Sequence, residues 1–383
     1  MSEERTMILK MLAEGKITVE ESERLLNALG SKESNNSKSS DNSKPSDIFS
    51  KINIFDGIKV VGSIKDAVKN VQNGIQEVIN QVEPRHQELK EKMKEFGGWM
   101  EEFVDTVASE LDNHQGLPSD SMAVDFIVPA PAGTENCDEF IVENVYGEVN
   151  VTEGPEFKLL VSGQISKSAI GEMQSSEWLA NKAIKIVDNK FYLGFLDQLP
   201  CKAIVNFNLT IPANARLICK TVNSTVKLKG AVNATSIKTV SGNIRTDGAN
   251  FENTEIETIS GVVQIENPSK LNGRINTNSG DIIIRTGNVE LLKLASCNGD
   301  ITVSEPHVAL GTEIHATTTS GNIRIEKIDG PWKSAEAISR SGEININWKK
   351  ETTPASNQKI VIKSGGEGAV FYAETVNGNI KYL

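Results

Sequence analysis

The feature that most restricts the fold is a short motif in the C-terminal half: Ser/Asn-Gly, a polar residue, then Ile or Val. Its glycines are Gly242, Gly261, Gly280, Gly299, Gly321, Gly342 and Gly378, spaced by 19, 19, 19, 22, 21 and 36 residues, the last gap being close to two periods. A degenerate copy stands at Asn223-Ser224 and an outlying one at Tyr146-Gly147-Glu148-Val149. Aligned on the glycine, the copies share columns. Two positions after it stand Ile244, Val263, Ile282, Ile301, Ile323, Ile344 and Ile380. Five before it stand Ile237, Ile256, Ile275, Leu294, Ala316, Ala337 and Ala373, and three before it always a Thr or Ser. Alternation with period two inside each copy marks strands that bury one face. A unit this short cannot enclose its own core, so neighbouring units must supply it.

The predicted architecture is therefore mainly β: a solenoid-like repeat domain over residues 120–383, with period about 19 and one coil per repeat. The same residues also fit a meandering antiparallel sheet or sandwich with Ser-Gly-Asn at hairpin turns. Columns that persist over the whole stretch favour the solenoid. Only 5% of the chain is aromatic and it has 30 glycines, as suits narrow coils filled by Ile, Val and Thr. The glycines are expected at tight corners, where they would supply a positive φ. Trp178, Phe191, Tyr192, Phe195 and Leu196 concentrate aromatics in an insertion placed to cap the first coil's edge.

The N-terminal part reads differently. Met7, Ile8, Met11 and Leu12 share one side of a short helix that Gly15 ends. Thr18 and Glu21 form a capping box for a second helix, carried by Val19, Leu25, Leu26 and Leu29 to Gly30. Residues 1–30 are thus a helical hairpin too small to bury much surface alone. Residues 31–50 read as a flexible linker rich in Ser, Asn and Lys. Residues 51–115 carry amphipathic helices. Ile54, Val61, Val68, Ile75 and Val82 recur every seven residues until Pro84, and Leu89, Phe96 and Phe103 then alternate with Met93, Met100 and Val107. Three partners fit that seam: the β domain or a second helix of the same chain, a coiled-coil partner, or a membrane surface.

Two stretches carry a family resemblance. MLAEGKITVEESERLLNAL (11–29) is similar to the bacterial SHOCT-like domain. Tyr-Gly-Glu-Val-Asn-Val (146–151), Leu-Thr-Ile-Pro-Ala (209–213), Lys-Thr-Val-Asn-Ser (220–224) and the repeated Ser-Gly-Asn-Ile resemble a bacterial adhesin-like β-strand-repeat family. Together they resemble the YvlB/LiaX-type proteins of Gram-positive bacteria. The resemblance implies a role in the cell-envelope stress response, with no catalytic residues to carry over.

The chemistry is sparse. Asn243, Asp281, Asp300, Asn322, Glu343 and Asn379 follow the glycines and would stack about 5 Å apart. Three readings apply to them: turn residues, a calcium site, or a paired-carboxylate glycosidase site. His86, His114, His307 and His315 show no metal-ligand spacing, and Cys137, Cys201, Cys219 and Cys297 form no CxxC pair. No nucleotide-binding, zinc-protease or serine-hydrolase motif occurs. With 51 acidic against 40 basic residues, nucleic acid is not the expected partner.

The expectation is a non-enzymatic binding or scaffold protein without a cofactor. Its β-repeat domain would be the recognition surface. The N-terminal hairpin and amphipathic helices would bind a protein partner, a membrane surface or another copy of the chain. The rivals are a polysaccharide-active β-helix enzyme and an intracellular regulator with a purely structural solenoid. No signal peptide or apolar run of membrane-spanning length is evident, so the cytoplasm is the default location, with peripheral membrane or cell-surface association as the alternative.

Overall fold

The computed structural model describes residues 120–171, 173–194, 203–347, 351–353, 358–364 and 366–383. The expected hairpin, linker and amphipathic helices, and Phe195 and Leu196 of the insertion, lie outside the described residues.

Each repeat contributes two strands that meet at its glycine, and each strand pairs in parallel with its equivalents in neighbouring coils. In the pre-glycine sheet the in-register row runs Ile237, Ile256, Ile275, Leu294, Ala316, Ala373, Ala337. In the post-glycine sheet it runs Val149, Val226, Ile244, Val263, Ile282, Ile301, Ile323, Ile380, Ile344. A third, shorter side closes the coil, where Phe251, Leu271, Val289 and Val308 follow one another. These inward side chains form one continuous core. The domain is the solenoid that the columns require, and the hairpin alternative is excluded by the parallel pairing. The degenerate copies are full members: Gly147 lies opposite Ser224, and Val226 opposite Ile244. Nine coils result.

The coils do not stack in chain order. The last one, Ala369–Asn377 with Ile380–Tyr382, inserts between the Gly321 and Gly342 coils. The 36-residue gap before it is therefore not an omitted repeat. It holds Glu351–Thr353 and Gln358–Lys363, which run antiparallel along the outer edge of the Gly342 coil. Space explains the fit. Ala316, Ala373 and Ala337 replace the larger aliphatics of earlier coils, and Phe371 and Tyr382 fill the volume, their rings 6.4 Å apart edge to face. The Tyr382 hydroxyl donates to the Glu336 carbonyl at 2.9 Å, so its polar end is satisfied inside the core.

Antiparallel strands close both ends of both sheets, covering edges that would otherwise offer unpaired backbone. At the first coil, Lys158–Ser166 and Ser121–Val128 extend the post-glycine sheet beyond Ala203–Ile211. Lys190–Gly194 and Ile184–Val187 extend the pre-glycine sheet. Phe191 and Trp178, from the aromatic insertion, are buried there with Phe140, whose ring centroid lies 5.2 Å from that of Phe191.

Candidate functional site

The repeated glycines form a spine where successive backbones touch. A Cβ built on Gly280 would stand 2.0 Å from the Gly261 carbonyl oxygen. At Gly242, Gly261, Gly299, Gly321, Gly342 and Gly378 the same contact is 1.9–2.1 Å, each against the residue one coil back in space. This corrects the expected reason for glycine. Gly261 and Gly280 have φ of 159°, essentially extended, and the other five are not in the left-handed region. Close approach, not a positive φ, excludes a side chain. Four members of the Thr/Ser column serve the same spine. Ser296, Thr318, Thr375 and Ser339 donate hydroxyls to the carbonyls of Gly280, Gly299, Gly321 and Gly378 at 2.9–3.3 Å.

The column after the glycine is a second ladder. Asn243 Oδ1 accepts the Val262 amide at 2.9 Å, Asp281 that of Asp300 at 2.9 Å, and Asp300 that of Asn322 at 2.7 Å. Asn322 then accepts the Asn379 amide at 3.0 Å, and Asn379 that of Glu343 at 2.8 Å. Each of these short side chains thus caps the coil above it, and the ladder is interrupted at Val262, which has no side-chain acceptor. Glu343 ends the ladder in space, where no further repeat needs a cap. Asp281 and Asp300, the pair considered for glycoside hydrolysis or calcium, have oxygens engaged by backbone amides. Among the described residues no group of three or more His, Cys, Asp or Glu is arranged to hold a metal. His307 and His315 sit beside carboxylates on separate sites, His307 Nδ1 2.6 Å from Asp329 and His315 Nε2 3.3 Å from Glu313. Asp300→Ala, which strips two donors of Asn322, is expected to cost about 1 kcal/mol and lower the melting temperature by about 2–4 °C. Added calcium is expected to leave the unsubstituted protein's melting curve unmoved.

What remains chemically available is the outer face of the post-glycine sheet. Three positions after the glycine, Lys227, Arg245, Gln264, Ile283, Thr302, Arg324 and Lys381 form a row in consecutive coils. Near its far end Asp300, Thr302, Asn322, Arg324, Asn379 and Lys381 line a groove of about 290 Å³. Lys227 is anchored, its ammonium 2.8 Å from both Glu148 oxygens, and this contact holds the Glu148 carboxyl below its ordinary range. The groove was not legible beforehand, because its members come from three coils whose spatial order departs from the chain.

Residues 200–382, which hold eight of the nine coils and the repeated glycines, match a known domain model, Toastrack DUF4097. Residues 200–382 are a toastrack domain. A second model, the SHOCT-like domain, matches residues 3–34. The chain therefore joins a SHOCT-like domain to a toastrack domain, the layout of the YvlB/LiaX-type proteins it resembles. None of the curated proteins matches the chain. Among solved structures, a candidate adhesin from Bacteroides fragilis aligns at 13% identity and TM-score 0.41, covering 70% of this chain and 100% of that one. A candidate adhesin from Parabacteroides distasonis aligns at 12% and 0.37 with the same coverage. A candidate cell adhesion protein from Clostridium sporogenes aligns at 10% and 0.21, covering 68% of this chain and 98% of that one. Likeness at this level carries no functional information. The toastrack ladders continue upstream of the matched range, through Glu139–Glu153.

Proposed function

We propose that the protein is a non-enzymatic binding scaffold of the cell-envelope stress response, with the open face of its toastrack domain as the recognition surface. The observation that carries this reading is the row of Arg, Lys, Gln and Thr side chains, interrupted only by Ile283 between Lys227 and Lys381, repeated at the strand spacing, about 4.8 Å, beside the groove at Arg324 and Lys381. Such a face suits an extended envelope polymer that offers hydroxyls to Asn and Thr and spaced anionic groups to the cations. The SHOCT-like domain would recruit a protein partner or another copy of the chain. Hydrolysis is disfavoured because one oxygen of each paired acid already accepts a backbone amide of the ladder. Among the described residues no helix is long and apolar enough to cross a membrane.

The experiment is co-sedimentation of the full chain with purified cell walls and, separately, with membranes. Arg324→Ala with Lys381→Ala is expected to weaken wall binding about ten-fold and to reduce its salt dependence. Both side chains lie on the outer face, so the melting temperature should stay within about 2 °C. Equal binding by parent and variant, or none by the parent, would overturn the reading.

A further inference from the structure

The two sheets differ on their outer sides. Strand alternation points the residues two, four and six positions before each glycine away from the core. None of these residues, in any of the nine coils, is exposed. In the column nearest the glycine, every residue from Val145 through Val222, Val240, Ile259 and Cys297 to Thr319 is buried, yet the apolar ones are not part of the inner core cluster. Ile259 is 1% exposed and Cys297 3%, and burial pushes the Cys297 thiol up to about 12. Even Glu257 is buried, its carboxylate 2.8 Å from Lys238. The post-glycine face is the internal control: in its row from Lys227 to Lys381, three positions after the glycine, no residue is buried, and Arg245 and Arg324 are exposed. A bare sheet face does not bury the outer column of seven consecutive coils. No described helix covers this one: Ser175–Ala183 packs instead on Ser121–Val128, Ile184–Val187 and Lys190–Gly194 at the first-coil end.

We infer that this face is the dock for the chain's own amphipathic segment, residues 85–112. Three observations select that occupant. The segment carries the aromatic seam of Phe96 and Phe103 with Met93, Met100 and Val107, the bulk that a column of small, mainly apolar side chains accepts. Its length suffices: 28 residues in helical conformation would span about 42 Å, and the seven coils of the buried column span about 29 Å. It ends eight residues before Asp120, whose carboxylate accepts the Ser168 amide at 2.8 Å beside the first coil, so the chain leaves the dock where the solenoid begins. The face would thus be an internal interface, leaving the post-glycine face as the one open to ligands.

The test labels the full chain with a water-soluble maleimide and reads Cys297 by peptide mass spectrometry. Phe96→Asp with Phe103→Asp is expected to speed Cys297 labelling at least ten-fold, while amide exchange at Ile282 stays slow as evidence that the solenoid persists. Amine cross-linking of the unsubstituted chain gives an independent reading, expected to join Lys238 or Lys293 to Lys92 or Lys94. Unchanged labelling in the variant overturns the proposal. So does a parent labelling rate that rises on dilution, which would mark a second copy as the occupant. Cross-links that reach only Lys227 or Lys381 of the opposite face, or none to the segment, overturn it as well.

Discussion

Gly280→Ala is expected to destabilise the toastrack domain by about 3 kcal/mol, lowering its melting temperature by about 10 °C. The new methyl would lie 2.0 Å from the Gly261 carbonyl oxygen and 2.7 Å from its carbon, both backbone atoms. Relief requires the two coils to separate. That strains the bonds on either side, from Gly261 N to Ser279 O at 3.1 Å and from Gly280 N to Asn298 O at 3.0 Å. Because coils interact mainly with their neighbours, amide exchange should rise most in the Gly261, Gly280 and Gly299 coils. Gly366→Ala is the control. Its Cβ would meet only the Ser364 hydroxyl, at 3.7 Å, so its effect should stay within about 0.5 kcal/mol. Equal effects of the two substitutions, measured by thermal melting, would refute the glycine spine.

Ile282→Asp should act more severely. Ile282 is fully buried between Val263 and Ile301, and its replacement both removes about 2 kcal/mol of apolar burial and places a carboxyl where nothing can pair with it. A total above about 5 kcal/mol is expected, enough to unfold the central coils at room temperature. The pH dependence identifies the cause. Burial raises the new carboxyl's folded pKa above the unfolded value of about 3.9, so the variant is least destabilised below that value and loses stability as pH rises through the folded pKa. A variant that melts like the parent at neutral pH would show that the inward column is misassigned.

Much of this fold was legible in the sequence, and the reason is the repetition itself. Ile282 in one copy says little, but with Val263, Ile301 and Ile323 at the same offset it marks a buried row. The glycines were legible as a column, while their role was not. A motif flanked by Asn and Asp reads as a turn needing positive φ, and only the stacked backbones reveal a contact with the Gly261 or Gly299 carbonyl. The Thr/Ser column was visible for the same reason and lacked a purpose until Thr318 and Ser339 were seen donating to that spine. The coil order could not be read. Every inward row is nearly interchangeable between coils, so Ala373 and Ile380 fit several slots. The choice falls to the long-range match of Phe371 and Tyr382 with the alanine rows. The groove at Arg324 and Lys381 inherits that difficulty, because those residues are strand partners only in the rearranged order.

The toastrack domain has two unlike outer faces: the post-glycine face, proposed for recognition, is accessible, and the column nearest the glycine on the pre-glycine face is buried through seven coils. Hydroxyl-radical footprinting of the full chain tests this difference most directly, because it reads side-chain accessibility residue by residue. Ile283 and Ile259 form a matched pair of the same intrinsic reactivity, one on the outside of each sheet. Ile283 is expected to be oxidised several-fold faster than Ile259, with Cys297, intrinsically among the most reactive side chains, protected along with Ile259. Equal oxidation of the two isoleucines, with Cys297 modified first, would contradict it.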